Sequence, residues 1–184
     1  MSDRKTLIQQ GMASRGLDIL KKRADSLSQI DEEQGTLETV GLLLFRLGEE
    51  WYAVRIDDVR EIYNDFVITR IPRLPAHVLG VINVRGEIVS VVDIAALMHV
   101  HADGEHEGTE EPNGIIVRNE RCVSTLVVDE IGDIIDVPRD SFEPPLSTLD
   151  RSQAEFVNAS VYTDGSLVGV INLDKVIEPI GETV

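Results

Sequence analysis

Beyond about residue 41 the chain alternates short apolar runs with turn residues at intervals of about 8–12 residues, which is typical of a β sandwich or barrel. Residues 42–47 and 51–56 flank Gly48 and predict a hairpin. Val59 and Ile62 lie three positions apart after two aspartates, which predicts a single helical turn capped by an aspartate. The pattern therefore predicts an all-β fold with short helices between strands.

Residues 80–93 give the clearest hairpin of the chain. Two β-branched apolar runs surround Gly86, and glycine supplies the positive φ that a tight hairpin turn needs. Arg85 and Glu87 flank this glycine. Both charges are therefore predicted at an exposed tip, facing water or a partner.

An internal repeat organises these strands. A shift of 72 positions aligns residues 42–62 with 114–134 without a gap, and a shift of 79 aligns 80–98 with 159–177. The matches include turn carboxylates as well as apolar positions, which favours a structural repeat. We expect two similar β lobes, with repeat halves at about 41–98 and 114–178 joined by an acidic loop at 100–113.

The two lobes differ at their hairpin tips. Arg85 of the first tip corresponds to Asp164 of the second, and Asn83 corresponds to Tyr162. Repeats keep their scaffold and diverge where they function, and binding residues concentrate on loops held by a rigid scaffold. The first tip is therefore the predicted recognition site.

The first 36 residues differ chemically from the rest and predict a helical extension over residues 3–34, ahead of a main domain at about 40–180. Its apolar positions follow steps of three and four along one stripe: Ala13, Leu17, Leu20, Ala24 and Leu27. Such a stripe needs a surface to cover it. The helix either packs on its own domain or frays, or else it docks on a partner or a second copy.

Charge excludes several classes of partner. The chain of 184 residues has a formal net charge of −16, and residues 41–184 hold 11 Lys and Arg against 26 Asp and Glu. Nucleic acids and anionic membranes are bound by cationic surfaces, so this domain repels both. Protein partners with basic patches are expected instead.

The single cysteine, Cys122, has no second cysteine with which to form an intramolecular disulfide. The chain also lacks the charged and apolar regions of a secretion signal and an apolar run of membrane-spanning length. We therefore expect an intracellular protein that is not inserted in a membrane.

Candidate catalytic chemistry is sparse. The segment 99–107 holds three histidines among acidic residues and is the one cluster with metal-ligand chemistry. Its irregular spacing favours a solvated loop, and a metal-dependent enzyme using this loop is the distant alternative. The chain contains no strained serine elbow and no glycine-rich phosphate loop, so no enzymatic activity and no cofactor are expected.

Several spaced motifs resemble the CheW family of bacterial chemotaxis coupling proteins. They occur in the family's order between about residues 40 and 178: Val-x-Glu-Ile at 59–62, Pro72 with Pro75, Gly-x-x-Asn-x-Arg-Gly at 80–86, and Val-x-Asp at 91–93. The resemblance implies two small five-stranded β barrels and a cytoplasmic adaptor without enzymatic activity. It also implies a position at membrane-bound receptor arrays, between chemoreceptor signalling tips and the regulatory domain of a CheA-type histidine kinase.

The resemblance further implies which residues bind partners. Glu61 and Arg85 fall on the family's functional surface near the receptor-binding groove. The accompanying motif residues predicted for the partner-binding site are Val59, Ile62, Gly80, Asn83 and Gly86, of which the last three would shape the hairpin. A second possibility within the family is an adaptor of a non-flagellar array, controlling pili or gene expression, in which the leading helix selects the partner.

Overall fold

The computed structural model describes residues 38–64, 66–100, 113–145 and 151–181. The predicted helix at 3–34 and most of the histidine-containing loop lie outside these ranges. The described strands are β1 (Thr39–Leu47), β2 (Glu50–Arg55), β3 (Val59–Asn64), β4 (Val78–Val84), β5 (Glu87–Asp93), β6 (Asn113–Arg118), β7 (Val123–Val128), β8 (Glu130–Pro138), β9 (Val157–Thr163) and β10 (Ser166–Ile171). The described helices are α1 (Ile94–Met98), α2 (Arg151–Ala154) and α3 (Leu173–Gly181).

The strands form two five-stranded sheets, so the predicted all-β fold is confirmed. The β1 sheet has the order β8-β1-β2-β10-β9, and the β6 sheet has the order β3-β6-β7-β5-β4. Each sheet contains strands from both halves of the sequence, so a lobe does not correspond to one half of the chain. In each sheet, a strand of the first half pairs in parallel with a strand of the second half: β2 with β10, and β5 with β7. Parallel strands cannot be joined by a tight turn.

Strand register follows the same shifts of 72 and 79 positions. Leu43 faces Val54 in the β1–β2 pair, and the residues 72 positions later, Ile115 and Leu126, face each other in the β6–β7 pair. The β4–β5 and β9–β10 hairpins agree in the same way after a shift of 79. The two sheets are therefore two copies of one arrangement.

The helical turn predicted at Val59 and Ile62 is wrong. A 3-10 turn occupies Ile56–Asp58 instead, and Val59 begins β3. Val59 is half-buried while Ile62 is exposed, because residues three positions apart point to opposite faces of a strand. The pairing of β3 with β6 is also irregular between Val59 and Glu61, as at a β bulge.

Three apolar clusters hold the fold together. The largest is shared by the two sheets and includes Phe45, Tyr52, Leu126 and, from α1 and α3, Ile94 and Val176. A smaller cluster belongs to each sheet alone. None of the helices in the described part of the chain is long and apolar enough to cross a membrane.

Candidate protein-binding rim

The tip of the β4–β5 hairpin is a two-residue turn with an unusual backbone. Arg85 and Gly86 have φ angles of 53° and 93°, and positive φ at both positions is characteristic of the type I′ turn. The Asn83 Oδ1 accepts a hydrogen bond from the Gly86 N–H at 2.7 Å. The left-handed backbone of Arg85 was not predicted from the sequence. A positive φ is sterically costly for a residue other than glycine, so the surrounding turn must stabilise this conformation.

Arg85 contacts Glu61 across the open side of the β6 sheet. The Arg85 Nη2 donates to Glu61 Oε2 at 2.8 Å. Glu61 lies on β3 and Arg85 on the β4–β5 turn, although β3 and β4 are the opposite edges of this sheet. The sheet is therefore curled, and the ion pair joins its two edges.

A second ion pair reinforces this closure. The Arg60 Nη1 donates to Glu87 Oε2 at 2.6 Å, and this hydrogen bond, together with the charge of Glu87, raises the pKa of Arg60. Sequence reasoning missed Arg60, although it stands next to Glu61 in the same motif. Arg60, Glu61, Arg85 and Glu87 together form what we call the arginine rim.

The arginine rim presents an exposed cation and adds little to the stability of the fold. Exposed ion pairs contribute about 0–1 kcal/mol to folding. The Arg85 side chain is 79% exposed against 17% for Glu61, so most donors of its guanidinium face solvent. Ile62 and Ile88, which follow Glu61 and Glu87 in the chain, are exposed apolar side chains on the strands that carry the rim. Arginine is enriched among the residues that contribute most to binding at protein interfaces.

Two of the remaining predicted residues, Gly80 and Val59, pack in or against the interior of the fold. Gly80 is buried with a φ of 144°, and a Cβ at this position would lie 2.2 Å from the carbonyl oxygen of Thr69. Thr69 and Val81 exchange two backbone hydrogen bonds at 2.8 and 2.9 Å, which fasten the segment after β3 to β4. Val59 packs against the cluster shared by the two sheets. The contribution of these residues to partner binding stays a prediction.

The histidine-containing loop falls mostly on residues 101–112, which the structure does not describe. His99 is described: it ends α1 with a φ of 54°, and its side chain is exposed. Among the described residues, no three His, Cys, Asp or Glu side chains are grouped as metal ligands.

A polar cleft of about 780 Å³ lies between the 3-10 turn, the β6–β7 turn and the start of α3. Its walls carry both signs of charge, with Asp57, Asp58 and Asp174 beside Arg118 and Arg121. Burial raises the pKa of Asp58, and the nearby carboxylates of Asp57 and Asp174 add to this effect. Among the residues that line it, none is a serine, a cysteine or a histidine.

A five-stranded β unit present twice, with an exposed charged rim on one copy and no grouping of metal ligands among the described residues, fits a protein-interaction module. The family model of the CheW-like domain matches residues 41–180, and the chain belongs to this family. This family consists of scaffolds and adaptors rather than enzymes.

Individual proteins that this chain resembles include CheW proteins. The chain is 31% identical to the chemotaxis protein CheW of Rhizobium meliloti over 135 residues, covering 73% of this chain and 85% of the relative. It is similar to the crystal structure of the scaffolding protein TtCheW from Thermoanaerobacter tengcongensis, with a TM-score of 0.64 and 31% identity over 73% of this chain and 90% of that one. It is also 23% identical to protein PilI of Pseudomonas aeruginosa over 62% of each chain.

Proposed function

We propose that this protein couples chemoreceptors to a CheA-type histidine kinase as a non-catalytic adaptor. The observation that carries the proposal is the Arg85–Glu61 ion pair, because it joins the two family motifs expected at the partner-binding surface and leaves Arg85 exposed. The receptor partner is the signalling tip of a methyl-accepting chemotaxis protein. The kinase partner is the regulatory domain of the CheA-type enzyme.

The geometry suits an adaptor because the binding groups are ordered before a partner arrives. The turn holds the Arg85 backbone through the hydrogen bond between Asn83 and Gly86, so the backbone needs little further ordering on binding. An adaptor acts by holding two partners at once, which raises the effective concentration of one near the other. In this proposal the protein is cytoplasmic and is held at membrane-bound receptor arrays by protein contacts, without inserting in the membrane or binding nucleic acid.

A second candidate is an adaptor of a non-flagellar chemosensory array. The similarity to PilI favours it, as do the first 40 residues, which precede the segment matched by the family model. In this version the predicted extension at 1–36 selects the receptor or kinase of that array.

Co-purification from the native cell separates these candidates. We expect the tagged full chain and a tagged form lacking residues 1–36 both to recover a chemoreceptor and a CheA-type kinase, because the rim belongs to the family domain. Recovery of a pilus-linked or gene-regulatory array by the full chain alone would establish the second candidate. Recovery of neither a receptor nor a kinase by the full chain would contradict both.

A further inference from the structure

The β1 sheet has an open groove at the place where the β6 sheet is closed by the arginine rim. The groove has a volume of about 410 Å³ and lies between the start of β8 and the β9–β10 tip. Leu44, Trp51 and Val168 provide its apolar lining, and Asp133 and Asp164 provide carboxylates. We call it the acidic groove.

The repeat explains why this groove is open. With the shifts of 72 and 79, Gly132 stands where the β6 sheet has Arg60, and Asp164 stands where it has Arg85. Asp133 takes the place of Glu61 and keeps its negative charge. The acidic groove therefore has no counterpart of the two arginines that close the arginine rim. It keeps a carboxylate, Asp133, at the position of the glutamate that binds Arg85.

The missing side chain at Gly132 makes room for an aromatic ring. A Cβ at Gly132 would lie 2.8 Å from the Trp51 ring and 3.1 Å from the Leu44 Cβ, so any larger residue there would displace the ring. The groove thus combines an indole, which attracts cations through its π face, with carboxylates.

No cation of the described residues pairs with the two aspartates of the groove. Glu130, also in the lining, forms an ion pair with Arg46, whose Nε donates to Glu130 Oε2 at 2.8 Å. The side chains of Asp133 and Asp164, by contrast, make no hydrogen bond or ion pair with the described residues, and both are exposed. In the β6 sheet the equivalent carboxylate, Glu61, binds an arginine at 2.8 Å.

We propose that the acidic groove binds an arginine side chain from a loop of a partner protein, flanked there by apolar residues. A guanidinium can stack on Trp51 while its donors reach the carboxylates of Asp133 and Asp164, a combination that an ammonium group achieves less well. Ile134 and Leu167 are exposed on the same strands and would meet the apolar flanks of that loop. This second surface is separate from the arginine rim and does not depend on the identity of the receptor or the kinase.

The groove contains the chain's single tryptophan, so its fluorescence reports binding directly. The probe is a capped heptapeptide, Gly-Leu-Gly-Arg-Gly-Leu-Gly, and the matched probe has glutamine in place of arginine. We expect a saturable change in Trp51 fluorescence with the arginine peptide, at a Kd on the order of 1 mM, and at least about tenfold weaker binding of the glutamine peptide.

Variants test the carboxylates. Asp133→Asn/Asp164→Asn is expected to weaken the arginine peptide at least about tenfold, because it removes both negative partners. Asp136→Asn/Glu143→Gln removes the same net charge from exposed positions outside the groove lining and is expected to change the Kd less than about twofold. Circular dichroism of both variants checks that the fold is retained.

Three results would overturn the proposal: no saturable response in the unmodified protein, equal binding of the two peptides, or equal weakening by the two pairs of substitutions. Self-association of the free chain that is lost in Asp133→Asn/Asp164→Asn and retained in the control pair would support the proposal and identify a second copy as the source of the arginine.

Discussion

The substitution Arg85→Glu is expected to abolish recovery of chemoreceptor and kinase in a pull-down while the protein stays folded. The folded state should tolerate it because the side chain is 79% exposed and its ion pair with Glu61 contributes only about 0–1 kcal/mol. Partner binding should not tolerate the substitution, because an arginine that is an interface hot spot contributes about 2 kcal/mol or more. The introduced glutamate would also repel the partner group that Arg85 contacts. Thermal unfolding measured beside the pull-down separates the two effects.

Two matched variants show what Arg85 does. Arg121→Glu makes the same charge change on the exposed β6–β7 turn and should leave recovery unchanged. Glu61→Arg/Arg85→Glu keeps an ion pair across the rim but exchanges its ends. If Arg85 contacts the partner, the exchanged pair does not restore recovery. Normal recovery with Arg85→Glu would remove Arg85 from the binding site.

The substitution Gly80→Ala is expected to destabilise the fold by at least about 2 kcal/mol, since it forces a side chain into a φ that favours glycine and into backbone atoms. The added Cβ would lie 2.2 Å from the Thr69 carbonyl oxygen, so the two hydrogen bonds between Thr69 and Val81 must break or shift. Urea unfolding measures the loss as a change in the free energy of unfolding.

Gly86→Ala is the control for Gly80→Ala. Gly86 also has a positive φ, of 93°, but nothing lies within 4 Å of a Cβ placed there. Only the backbone cost applies, so we expect a loss of about 1 kcal/mol. Equal losses for the two substitutions would show that the contact between Gly80 and Thr69 does not hold the hairpin in place.

Local patterns in the sequence predict much of this fold. Alternation of apolar residues and glycine at turns locates the β1–β2 and β4–β5 hairpins, because their partners are close in sequence. The ungapped shift of 72 also predicts the register shared by β1–β2 and β6–β7, since a repeat carries its pairing with it. The exchange of strands between halves was not predicted, because the parallel pairs that produce it join distant strands and leave no local signal.

The site was predicted only in part. Glu61 and Arg85 were singled out by charge, motif and family resemblance, but they lie 24 residues apart and nothing in that spacing shows that they touch. Their contact depends on the curling of the β6 sheet, which brings opposite edges together. The Arg60–Glu87 pair was missed for the same reason. The acidic groove was not predicted, because it depends on the packing of the Trp51 ring against Gly132, and these residues are far apart in the sequence.

Reconstitution from purified components tests whether this protein joins a receptor to a kinase. Receptor signalling fragments anchored to vesicles are mixed with the CheA-type kinase of the same cell, with and without this protein, and the kinase that sediments with the vesicles is measured. We predict that bound kinase rises when the unmodified protein is added and not when Arg85→Glu is added. Equal sedimentation of the kinase with and without the unmodified protein would show that the protein does not join the two.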